Sequence, residues 1–127
     1  MKLDRYFEEV KGVGILATAD KNGRVNAAIY GRPHFFDEET VAFIAAEKLT
    51  HANLLSSPHA VYLFKEADKY GGKRLYLTKI REEKDSQLIE EIRRKKYKET
   101  EGKYKTGPKY LIYFKLEKVL PLIGDEQ

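Results

Sequence analysis

The chain has 127 residues, 42% of them apolar and 35% charged, with a net charge of +4 from 24 basic and 20 acidic side chains. That length suits a single domain over 1–127 with a core of its own. Having no cysteine, it excludes disulfides, thiolate metal sites and cysteine nucleophiles. With no apolar leader and no membrane-length apolar run, a cytoplasmic protein is expected.

Leu3, Tyr6, Phe7 and Val10 recur at i, i+3, i+4 and i+7, with Asp4 as a cap and Gly12 as a stop. This spacing predicts a short amphipathic helix whose stripe lids the core. Residues 13–19 and 24–30 read as strands, and Asn22-Gly23 between them predicts a hairpin with a type I′ turn, since both residues tolerate positive φ. Gly12-Val13-Gly14 lacks a third glycine and leads into a strand, so it is not a dinucleotide fingerprint. Residues 34–36 extend again, 37–39 turn the chain, and 40–46 form an apolar run of strand length. Thr50 then stands where a cap belongs, ahead of a helix that ends before Pro58.

Two further strands, 59–65 and 74–80, flank a charged, glycine-bearing loop; Val61 with Leu63, and Leu75 with Leu77, keep a period of two. Residues 85–96 switch to helical spacing through Leu88, Ile89 and Ile92, with Asp85 as the expected cap. The basic run 93–98 at its end reads as a solvated helix terminus, with a landing site for an acidic substrate or nucleic acid as its functional alternative. Residues 100–109 read as a loop, 110–119 as a closing strand, and the tail after Pro121 as frayed. Six or seven antiparallel strands with two or three short helices predict a mainly β protein, a small barrel with α decoration.

The chemistry concentrates where the 40–46 strand enters its helix. A helix start has N–H groups without intrahelical partners and a partial positive charge, so a phosphate is stabilised there, the more so with Lys48 adjacent. Small side chains at Ala27, Ala28, Ala45 and Ala46 let a flat ring and its tail approach the backbone. Each feature also has a plainer reading. Lys48 and Thr50 are then a solvated lysine and a cap, the alanines are core positions, Asn26 satisfies a turn, and His51 is an exposed first-turn residue. His34 and His59 are strand-edge residues in either case, because no histidines and carboxylates have metal-site spacing.

The order of two hairpins, then strand into helix through Lys48-Leu49-Thr50-His51-Ala52-Asn53, then Pro58-His59-Ala60-Val61-Tyr62-Leu63-Phe64, resembles the FMN-binding split barrels related to pyridoxamine 5'-phosphate oxidase. The likeness runs from about 7 to 120. It implies a homodimer with FMN at the subunit interface and an oxidoreductase passing hydride or electrons from a reduced nicotinamide or protein donor to an acceptor. Carried over, it puts Lys48 and Thr50 at the phosphate with Leu49 and His51 beside them, Asn26, Ala27, Ala28, Ile29 and Tyr30 along the ring, and Ala45 and Ala46 beneath the ribityl chain. Leu49 stands where many relatives have a basic residue, so either Lys48 reaches over or the phosphate relies on the helix start and a base from elsewhere, such as Arg32, Lys73 or Arg74; Arg32 is also the candidate for the ring's pyrimidine edge. Tyr110, Tyr113 or the tail is expected to cross the interface. Related barrels hold deazaflavin, haem or pyridoxal phosphate instead. From another class, a basic β-barrel binding single-stranded nucleic acid through tyrosines and lysines also fits the composition.

Overall fold

The computed structural model describes residues 2–96 and 107–125. In chain order the elements are α1 (Lys2–Glu9), β1 (Gly12–Ala19), β2 (Val25–Tyr30), β3 (His34–Phe35), β4 (Thr40–Ala46), α2 (Leu49–Ser56), β5 (His59–Glu66), β6 (Gly72–Lys84), α3 (Gln87–Lys96) and β7 (Lys109–Pro121). All seven strands join one antiparallel sheet in the order β2-β1-β5-β6-β7-β4-β3. The mainly β architecture with three short helices is the one the sequence predicts. Most of the expected 100–109 loop, with Tyr97 and Lys98, lies outside the described residues.

Strand alternation builds the core. Leu16, Val41, Phe43, Tyr62, Phe64, Leu75 and Phe114 point inward from five strands, and Phe7 of α1 closes one end, its ring edge-on to Phe64 at 5.1 Å. Burying such a phenylalanine contributes about 1.5–3 kcal/mol, so the amphipathic stripe of α1 is what fixes it as a lid. Gly14 of β1 has a packing role, because an added Cβ would collide with the Tyr62 hydroxyl.

The sheet curls but does not close. β6 and β7 run 13 residues each, with register shifts between Tyr76 and Leu77 and between Lys79 and Arg81, and bulges of this kind bend and twist a strand. β3 has only two residues and pairs with Val41 and Ala42 alone. Beyond Ala42, that edge of β4 carries no strand. β2 reaches it through side chains: Tyr30 packs edge-on to Phe43 at 6.3 Å, and Asn26 Nδ2 donates to Thr50 Oγ1 at 3.3 Å.

α3 lies on the opposite face from the core. Its Ile89 and Ile92 form a second cluster with Ala42, Leu111 and Tyr113, which is why residues 110–114 of β7 are buried on both faces where the sequence predicts alternation. No helix among the described residues is long and apolar enough to cross a membrane.

Three local expectations are corrected. The β1–β2 turn is a type I turn closed by a left-handed glycine: Asp20 Oδ1 accepts from the N–H groups of Asn22 (2.8 Å) and Arg24 (3.0 Å), Gly23 N–H donates to Asp20 O, and Gly23 alone has positive φ, at 83°. α2 begins at Leu49 with Lys48 as its N-cap and no side-chain cap, so Thr50 sits inside the first turn. Ser86 caps α3, its Oγ accepting from Leu88 N–H, while Asp85 Oδ1 accepts from Lys109 N–H. We expect Gly23→Ala to cost about 1 kcal/mol, the penalty of a side chain in the left-handed region, read as a lower urea midpoint with unchanged m-value.

Candidate functional site

The gap left by the short β3 opens onto a cavity of about 370 Å³, within the roughly 300–1,000 Å³ typical of small-molecule sites. Alternation along β4 turns Val41, Phe43 and Ala45 into the core and leaves Ala42, Ile44 and Ala46 on the outer face as its floor, beside Leu111 of β7. One wall is Ile92 and Arg93 of α3; the other is residues 29–32 at the end of β2, with His34. Arg32, His34, Arg93 and Lys109 border the space, and no carboxylate among the described residues does.

The register separates Lys109 from His34. Lys109 lies opposite Ala46 and His34 opposite Ala42, about 13 Å apart at the rise of a strand. Arg32 is half-buried and anchored, with Nη1 donating to the carbonyls of Phe7 and Glu8 at 2.8 Å each, where the C-terminal end of α1 favours a cation. Arg93 is only 5% exposed, and its Nη1 lies 3.8 Å from Glu90 Oε1.

At the Ala46 end the chain enters α2. Lys48 and Leu49 are exposed there, whereas Thr50 (3% exposed) and His51 (5%) turn inward. The Thr50 hydroxyl is engaged by Asn26 and Tyr30, and burial raises the Tyr30 phenol, partly offset by Thr50. The His51 ring stacks on Tyr110 with centroids 3.7 Å apart and planes at 14°, and its Nε2 is 2.9 Å from Glu82 Oε2. Lys79 Nζ reaches the other Glu82 oxygen at 2.6 Å. Burial pushes the Glu82 carboxyl up, but the bonds from His51 and Lys79 outweigh it and hold the group below the usual carboxylate range. Tyr110 donates to Glu47 Oε2 at 2.7 Å; that bond, with burial adding to it, pushes the phenol up to about 12.

The candidate residues therefore divide. Ile29, Tyr30 and Ala46 meet at the cavity, while Ala45 faces the core, so the two adjacent alanines do not lie under one ligand. Asn26 and Ala28 are half-buried, and Ala27 is exposed on the other face of β2. His51 is not the exposed first-turn residue of the plainer reading. Lys73 sits over the Tyr6 ring, and Arg74 holds the tail through the carbonyls of Pro121 and Gly124; neither lines this cavity. Tyr110 and Tyr113 are buried in their own chain. Lys109 is the residue sequence reasoning missed; Arg93 was read within the basic run 93–98, and its burial was not, although it falls four positions after Ile89 on the buried stripe of α3. Among the described residues no group of three or more His, Asp or Glu has metal-site geometry.

No family model and no curated protein sequence matches the chain. Solved structures do. An FMN-binding protein from Syntrophomonas wolfei superposes with a TM-score of 0.79 at 19% identity, covering 95% of this chain and 84% of that one. The fold is that of the flavin-binding split barrels. A second split barrel, from Lactobacillus delbrueckii and assigned provisionally to pyridoxamine 5'-phosphate oxidase, gives 0.66 at 12% identity, covering 94% and 92%. A third, the haem storage protein HutZ of Vibrio cholerae, gives 0.63 at 20% identity, covering 94% and 91%. Ligands as unlike as FMN and haem thus occur on one scaffold, and only the site distinguishes among them.

The Glu82 clasp yields a pH-dependent expectation. Its carboxyl is depressed in the folded state, so its contribution is complete above the ordinary carboxylate range and is lost as pH falls through the folded value. Glu82→Gln should cost about 1–2 kcal/mol at neutral pH, with a flatter acid limb. Denaturant midpoints of the two proteins should converge below the usual carboxylate range.

Proposed function

We propose that the protein is a cytoplasmic, homodimeric FMN-binding flavoprotein that passes hydride or electrons from a reduced nicotinamide or protein donor to an acceptor. The observation that carries this reading is the cavity on β4, with a floor of small and aliphatic side chains and cations but no described carboxylate around it. That donor set fits a planar apolar body with an anionic tail. Ala42 and Ala46 let a ring approach the strand, Ile29 and Tyr30 flank it, and the phosphate takes the first-turn N–H groups of α2 with Lys48 and Lys109. A bound flavin supplies the redox chemistry; the chain's part is to bind it, orient it and exclude water.

The second subunit is argued from the outer face of β1 and β2. Val25 (84% exposed), Ile29 (71%) and Val13 lie bare there, beside an apolar groove lined by Ala17, Ala19 and Val61, and contiguous apolar surface of this kind marks an interaction site. Ile29 belongs to both the patch and the cavity, so a second copy seated on this face would cover one side of the ligand. For the nucleic-acid alternative, Tyr62, Tyr110 and Tyr113 are buried and unable to stack bases, whereas Tyr70 is exposed.

Purified protein should quench the fluorescence of added FMN saturably. Ala46→Phe should abolish uptake, and Lys48→Ala should weaken it about fivefold, the worth of one charge near an exposed helix start. Uptake unchanged in Ala46→Phe would exclude this cavity, and a haem-type absorption band in place of flavin bands would redirect the assignment. Val25→Glu should turn a dimer into a monomer in sedimentation equilibrium.

A further inference from the structure

We propose that the Ala42 end of the cavity, through Arg32 and Arg93, recognises the anionic group of a second ligand, so that the substrate is a small organic anion bearing a carboxylate or phosphate; this deepens the flavin reading and rests on it. The argument starts from charge. FMN has one phosphoryl group, and the α2 start with Lys109 accounts for it at the Ala46 end. His34 lies opposite Ala42 at the other end, about 13 Å along the strand, and Arg32 precedes it by two residues on the same cavity wall.

Arg93 belongs with them. α3 leaves the sheet beside Lys109, where Asp85 is bonded to that residue's N–H and carbonyl, and its Ile89 and Ile92 pack in the cluster that holds Ala42, Leu111 and Tyr113. Arg93 follows directly and borders the cavity. Guanidinium groups beside an apolar space with no described carboxylate on its lining favour an anion there, because their fields add; Glu90, 3.8 Å from Arg93 Nη1, offsets part of that residue's charge.

Arg32 supplies the geometry. Both its bonds to the α1 carbonyls use Nη1, and Nε and Nη2 have no partner among the described residues. One corner of the guanidinium is thus fixed while the edge formed by Nε and Nη2 stays open for a two-pronged bond to a carboxylate or phosphate. The anchoring removes much of the side-chain entropy that binding would otherwise cost.

The test is a titration of FMN-loaded protein with sodium benzoate and, separately, with inorganic phosphate, read from the visible flavin bands. A saturable shift is expected, with the stronger ligand telling carboxylate from phosphate. Arg32→Lys, which keeps the charge but loses the fork, and Arg93→Gln should weaken it about tenfold or more while FMN affinity stays within a factor of about three. Equal losses of FMN and anion affinity would assign these cations to the flavin phosphate and overturn the proposal. So would unchanged anion affinity with a shifted flavin reduction potential. If the wild type takes up no FMN, the flavin reading fails by itself, and calorimetry of the protein with phosphate decides the rest: binding weakened by Arg32→Lys upholds the anion site, and no binding overturns it.

Discussion

A two-residue strand governs this molecule. β3 pairs with Val41 and Ala42 and stops, so the edge of β4 from Phe43 to Ala46 has no ladder, and the sheet cannot become a closed barrel. Two side-chain joints, Tyr30 on Phe43 and Asn26 on Thr50, hold β2 across the gap. Such joints draw the edges together without filling the space between, which a run of backbone bonds would have done. The cavity is the volume that remains.

What surrounds that volume follows from the same geometry. With the inner face of β4 taken up by Val41, Phe43 and Ala45 in the core, its outer face needs cover of its own, and α3 provides it through Ile89 and Ile92. The helix covers the Leu111 and Tyr113 side but leaves the Ala46 side open, and it brings Arg93 to the rim. At the α2 corner, Thr50 and His51 spend their side chains on the fold. What faces outward is Lys48, Leu49 and the helix start.

Period-two alternation and the change to helical spacing at residue 85 made nearly every element legible from the sequence, because those patterns are imposed by burial on one face. Turn and cap details were less legible, since short-range competition decides them. Asn22-Gly23 invites a type I′ turn, yet the Asp20 carboxylate satisfies two N–H groups and so selects type I. The site was half legible. Ala46, Ile29 and Tyr30 were found through strand position, but Ala45 was grouped with Ala46 although neighbours in a strand face opposite ways. Arg93 was hidden by its basic neighbours, which read as solvated, while its own place on the Ile89 stripe indicates burial. His51 could not be placed locally at all, because the ring that covers it, Tyr110, lies 59 positions away and α2 meets it only through the sheet.

The hydroxyl of Tyr62 occupies the room that a side chain at position 14 would need. Two positions 48 apart in the chain therefore share one volume, and descent with modification has to treat them as a unit. Any chain of this fold that gains a methyl group on β1 at that point must shorten the β5 residue whose hydroxyl fills that room, and a glycine there should travel through its lineage in the company of a long aromatic partner.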